Sequence, residues 1–306
     1  MKTIEACPEQ GHKIAYYRIG GYLMRITMPF GMDVSVWLPS FTDFIEDCSD
    51  AADQAIGISL HIGKFQDVLT DQKVLVDQEG KFGRRFTIEE YADAYLTTVY
   101  SRTLSVEWQM TSTKDFSCST IYMSRVVDNS AIFPWLLKLA FGQAIIFKKG
   151  MLIHASVIAL GEIGIAFLGK SGVGKSTHSQ QWKEQIAGSR LLNDDNPLMR
   201  VNQDGEVSIY GTPWSGKTSC YVAEQKTLKA IVRLEQGDCN RLTWITGKEA
   251  FLTLVPSVLS FRWNKDAYNL MLDSLEQVVQ FVSIGAFTCM ANAESANYCY
   301  QEVLTR

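Results

Sequence analysis

A chain of 306 residues with 46% hydrophobic and 20% charged residues and a net charge of −4 has the balance of an ordinary soluble globular protein. The acidic balance excludes a general nucleic-acid surface, which needs a basic excess. The seven cysteines are odd in number and include no C-x2-C pair, which argues against a disulfide framework or a zinc site and fits reduced thiols in a cytoplasm. Met1, Lys2, Thr3, Ile4 and Glu5 lead into no apolar core, so no secretory leader is expected.

In chain order, residues 1–128 are expected to form a β-rich domain whose role the sequence does not reveal. Residues 55–62, 104–110 and 116–123 alternate apolar and polar side chains with aromatic and β-branched enrichment, the pattern of strands with one wet face. His12 and His61 are isolated and read as structural or surface histidines. Residues 126–130 mark a boundary, after which 129–306 alternates apolar runs and helical patterns as an α/β domain does. The most apolar run, 131–147, contains Lys138 and Gln143 and is short for a membrane span. A buried core helix and no membrane partner are expected.

The chemistry concentrates at Gly169-Lys170-Ser171-Gly172-Val173-Gly174-Lys175-Ser176, a full G-x4-G-K-[ST] match. The apolar run 163–168 before it reads as a buried strand, and 177–185 after it reads as a helix. Gly169, Gly172 and Gly174 let the backbone bend so that several N–H groups, those of Ser171 and Val173 included, point at one anion. The helix start, with Thr177 in its first turn, adds a favourable dipole. Lys175 would reach the outer phosphates and Ser176 would hold Mg²⁺ through its hydroxyl.

Residues 211–218 fit the same pattern letter for letter but make a poor cradle. Pro213 offers no N–H and restricts Thr212, and Trp214 stands where a phosphate needs close backbone approach. The segment reads either as a surface turn or as a mobile loop whose Lys217 reaches phosphate or substrate from across the cleft. It is not expected to be an independent nucleotide site.

Residues 151–160 form a strand candidate joined to the next strand by Gly161 and Glu162, a turn so short that the two strands must be antiparallel neighbours. Centred on that turn, the register puts His154 opposite Gly169 at the mouth of the loop, as an active-site group or else as a core histidine bonded to backbone. Further on, 190–197 reads as a short buried strand ending in Asp194 and Asp195. Two acids at a strand tip form a solvated turn or cap in the plainer reading. Placed on the next strand after the loop's helix, they supply a carboxylate for Mg²⁺ and a second to take a proton from an attacking hydroxyl.

A histidine one strand ahead of G-x4-G-K-S, followed by an Asp-Asp pair after the helix, resembles the HPr kinase/phosphorylase family. The fold also resembles the nucleotide domain of ATP-dependent phosphoenolpyruvate carboxykinase, with an antiparallel hairpin ahead of the loop. The resemblance covers roughly 130–306 and implies an α/β phosphate-loop domain with a mixed sheet, preceded by the β-rich N-terminal region. It implies a cytoplasmic, Mg²⁺-dependent kinase that moves the γ-phosphate of ATP to a hydroxyl, and it admits a homo-oligomer, because related kinases form rings or dimers. Carried over by position, Lys175 and the loop amides bind phosphate, and Ser176 and Asp195 bind metal. Asp194 acts as general base, and His154 positions or tunes that carboxylate. The chain departs from the family at Thr177, where HPr kinases usually carry Glu, and it lacks the family's C-terminal signature. The acceptor implied is therefore a serine of a small molecule, peptide or protein rather than HPr. A nucleotide-binding regulatory or scaffold protein without turnover and a carboxykinase are the alternative functions.

Overall fold

A computed structural model describes residues 11–47, 52–66, 70–80, 83–124, 131–216, 218–290 and 292–306. Within them the alternating segments of the N-terminal half become strands of one sheet. These are β1 (His12–Ile19), β2 (Tyr22–Pro29), β3 (Ile45–Glu46), β4 (Ile56–Ile62), β5 (Lys73–Glu79), β6 (Arg85–Glu90), β7 (Ala94–Tyr100), β8 (Val106–Thr113) and β9 (Cys118–Met123). Their spatial order is β3-β1-β2-β4-β9-β8-β7-β6-β5. A short helix, α1 (Val34–Trp37), starts at Asp33, whose carboxylate accepts the Ser35 N–H at 2.9 Å.

The apolar run 131–147 forms a buried helix, α2 (Ile132–Ala144). Phe133 on α2 stacks on the fully buried Trp108 with centroids 6.2 Å apart, and Trp135 meets Phe86 edge-on at 5.0 Å. The chain divides into two compact units, Met1–Ile145 and Ile146–Arg306, which groups α2 with the first. The boundary expected after residue 128 lies outside the described residues. Among the described residues no helix is long and apolar enough to cross a membrane.

In the second unit the strand expected over 151–160 is two pieces, β10 (Gly150–Leu152) and β11 (Ala155–Leu160). The break falls at Ile153 and His154 because their N–H groups turn to other partners, the carbonyls of Pro197 at 3.1 Å and Ser257 at 2.7 Å. After the two-residue turn, β12 (Ile163–Leu168) returns antiparallel to β11, from Leu160 opposite Ile163 to Ser156 opposite Phe167. The loop leads into α3 (Lys175–Gln185) and then β13 (Ser189–Asp195), which pairs with the other edge of β11. Next come β14 (Leu198–Val201), β15 (Val207–Tyr210), the long β16 (Gln225–Gln236) and β17 (Arg241–Ile245). They are followed by α4 (Gly247–Leu254), α5 (Lys265–Phe281), β18 (Ser283–Cys289) and α6 (Ala293–Thr305).

The main path of this mixed sheet is β10-β14-β15-β16-β12-β11-β13. β16 runs parallel to β12 along one edge, and pairs with β15 and then with β18 along the other. The near-continuous apolar run of β12 follows from cover on both faces. Ala166 and Leu168 join a core with Met271, Leu275 and Val278 of α5, while Ile165 and Phe167 join one with Trp182 of α3 and Val303 of α6.

The α3–α6 core holds a histidine. His178 is buried, with Phe167 edge-on at 4.7 Å. Trp182 Nε1–H donates to its Nε2 at 3.1 Å, which leaves Nδ1–H to face Ser295 Oγ at 3.4 Å. Protonation would put two N–H groups nose to nose at Trp182, and burial holds the imidazole's pKa down to about 4. The unfolded chain, with histidine near its ordinary value, binds the proton first as pH falls. Stability from this group is therefore complete above about pH 6.5 and lost towards pH 4. Between pH 7 and 4.5 that loss is roughly 2.5 kcal/mol. Urea unfolding of His178→Gln is expected to show a correspondingly smaller drop than wild type over this range; equal drops would contradict the assignment.

Candidate functional site

The loop after β12 is shaped by glycines in the left-handed region: φ is +148° at Gly169, +82° at Gly172 and +106° at Gly174. At Gly169 space as well as φ demands glycine, because a Cβ would stand 2.6 Å from Val173 Cγ1 and 3.1 Å from the Leu234 carbonyl oxygen. Gly174 is the N-cap of α3 and supplies no side-chain cap. The first-turn N–H groups of that helix thus face the loop's mouth, the arrangement that receives an anion. Lys175 Nζ donates to the Gly169 carbonyl at 2.9 Å, so the cation lies over the same opening. Ser171 and Thr177 are exposed beside it.

A cleft of about 370 Å³ adjoins the loop, lined by residues 170–173 and by 233–236 at the end of β16. It opens at the carboxyl ends of two parallel strands, β12 and β16, where α/β sheets place their ligands. Gln236 ties its two sides together by donating to the Val173 carbonyl at 3.3 Å. Residues 233–236 were not anticipated from sequence. Their signal is the polar end, Arg233, Glu235 and Gln236, of an otherwise apolar strand.

Pairing of β13 with β11 sets Asp195 opposite Ala155 and Asp194 opposite Ser156, which carries both acids to the mouth of the loop. Asp194 is buried, and its two oxygens accept from Ser176 Oγ at 3.0 and 3.1 Å. His154 Nδ1 lies 2.9 Å from Asp195 Oδ1, and Lys175 Nζ lies 3.3 Å from His154 Nε2. With the lysine donating to Nε2, the imidazole's proton sits on Nδ1 and points at Asp195. The His154 side chain is 39% exposed, so it is a group of the site's rim and not a core histidine. The structure shows which side chain each acid touches. Ser176 meets Asp194, where Asp195 was expected, and His154 meets Asp195, where Asp194 was expected.

Ser176 and Asp194 together offer hard oxygen donors beside an anion cradle, a set that fits Mg²⁺ shared with phosphate and water. Among the described residues no three His, Cys, Asp or Glu side chains gather as a metal cluster of their own.

The segment 211–216 is not a surface turn. Residues 211–214 are buried, and the backbones of Ser215 and Asp195 form a bridge. Neither Gly211 nor Gly216 has the left-handed φ of the first loop's glycines. Lys217 lies outside the described residues. Nearby, burial and then the Asp194 carboxylate push the Cys220 thiol up, which leaves it a poor nucleophile. Cys118, Cys220, Cys239, Cys289 and Cys299 are free thiols. His12 and His61 lie in the first unit with their rings 6.0 Å apart, and His61 stacks on Tyr122.

No family model matches the sequence, and no curated protein matches it. Among solved structures, an Hpr(Ser) kinase/phosphatase from Coxiella burnetii superposes over 50% of this chain and 97% of its own, with 11% sequence identity and a TM-score of 0.31.

Gly169→Ala is expected to cost about 1–3 kcal/mol, since the new Cβ meets both a forbidden φ and the Val173 side chain. Chemical denaturation measures it; an unchanged midpoint would mean the loop relaxes freely.

Proposed function

We propose that the second unit is a Mg²⁺-dependent kinase that transfers the γ-phosphate of ATP to a hydroxyl, a serine of a small molecule, peptide or protein. The observation that carries this reading is the convergence of two polar pairs on one glycine cradle: Ser176 with Asp194, and Asp195 with His154. The loop N–H groups and Lys175 hold the phosphates, and the cleft between 170–173 and 233–236 takes the nucleoside. Ser176 and Asp194 hold Mg²⁺, which supplies charge neutralisation for the transferring group. Asp195 accepts the proton of the attacking hydroxyl, and His154, donating from Nδ1, orients that carboxylate. Positioning and charge neutralisation provide most of the rate.

A carboxykinase needs further lysine, histidine and aspartate ligands and an arginine cluster for its substrate, and no observation at this site favours it. A nucleotide-binding regulator without turnover requires only the cradle and the cleft. It has no use for a second acid held on a histidine.

A thermal shift with Mg·ATP tests the binding. At about a hundred times its dissociation constant the ligand stabilises the native state by about 2.7 kcal/mol. A rise in wild type that is absent in Lys175→Ala is expected; no rise in either protein removes the foundation of the kinase reading. Asp195→Asn is expected to keep the thermal shift and to lower ATP consumption by roughly 10²–10⁴-fold. Unchanged consumption would contradict the base assignment, and a wild type that binds ATP without consuming it would point to the regulator.

A further inference from the structure

The segment 211–216 is bonded to both acids. Asn193, fully buried one residue before them, donates from its carboxamide to the Thr212 carbonyl at 3.2 Å and the Trp214 carbonyl at 3.3 Å. The same side chain accepts the Asn196 N–H at 3.0 Å, and Thr212 Oγ1–H donates to the Asn196 carbonyl at 2.7 Å. Gly216 N–H donates to the Asp194 carbonyl, and Ser215 Oγ lies 3.0 Å from that oxygen. The two chains are therefore sewn together on both sides of Asp195.

Asp195 itself has φ +123°, a region that favours glycine and that a side-chain-bearing residue keeps only when its surroundings impose it. Gly216 lies against it: a Cβ there would be 3.1 Å from Asp195 Cβ and 3.2 Å from the Asp194 carbonyl oxygen. Return of φ to the ordinary negative range would swing the carboxylate away from His154.

We propose that residues 211–216 form a strut that holds Asp195 in its left-handed backbone and so aims its carboxylate at His154. Asn193, Thr212 and Gly216 are then positioning residues for the proton-accepting acid. The catalytic consequence rests on the kinase reading above; the placement of Asp195 against His154 does not. The second G-x4-G-K-T match thus owes its glycine at 216 to close packing on the acids and not to a phosphate.

Side-chain ¹H and ¹⁵N NMR of His154 reads the placement directly, because an Nδ1–H bonded to the Asp195 carboxylate resonates downfield and is protected from exchange with water. Gly216→Ala is expected to lose that bonded Nδ1–H signal while binding Mg·ATP as wild type does. Its turnover should fall roughly 10²-fold, as for a reacting group displaced by about an ångström. Thr212→Val is expected to behave alike and Thr212→Ser to restore the wild-type signal, which guards against Gly216→Ala failing to fold. An unchanged Nδ1–H signal in both Gly216→Ala and Thr212→Val overturns the strut. Loss of Mg·ATP binding with the Nδ1–H signal intact also overturns it, in favour of a ligand-binding segment. Should wild type bind no ATP, the kinase reading falls, and the Nδ1–H comparison still decides the strut.

Discussion

Leu160 faces Ile163 across a turn of two residues, and that contact governs the far end of the hairpin. A turn so short leaves β11 and β12 no choice but antiparallel pairing in a single register. A one-residue slip would invert every side chain of β11 between the two cores. With the register fixed, β12 releases its chain into the glycine loop beside the start of β11. The other edge of β11 then receives β13 with Asp195 opposite Ala155. Cradle, histidine and acids meet because one strand stands between the two that carry them.

Electrostatics explains why the assembled groups are tolerable. Asp194 is buried, and a lone ionised carboxylate in that position would be costly; the Ser176 hydroxyl and the adjacent helix start offset the cost. Asp195, His154 and Lys175 form a row in which the imidazole stands between the carboxylate and the ammonium. The loop carbonyl of Gly169 meanwhile holds Lys175 over the opening.

Much of this was legible in the sequence where local rules apply. The two-residue turn, the glycine spacing and the apolar run of β12 each dictate their structure without reference to distant residues. The acids were recognised as a pair, but their division was not, because it depends on which of two neighbouring side chains faces α3 and which faces His154. The break at Ile153 and His154 escaped notice since its cause is hydrogen bonding to Pro197 and Ser257, far away in sequence. The segment 211–216 was legible as a poor cradle from Pro213 and Trp214, but its burial against the acids was not, for the same reason. Its letters match a phosphate loop, while its conformation is set by Asn193, a buried amide whose partners no local pattern names. His178 gave no signal either: a polar residue in a helix reads as solvent-facing until α6 is known to cover it.

The proposed kinase requires Ser176 and Asp194 to hold Mg²⁺ at a nucleotide site. Calorimetric titration of ATP with and without Mg²⁺, on wild type and Asp194→Asn, tests it most directly. The expected result is that Mg²⁺ tightens ATP binding to wild type by about tenfold or more and that Asp194→Asn loses this gain. Equal affinities with and without the ion in wild type, or a gain that survives in Asp194→Asn, would contradict it.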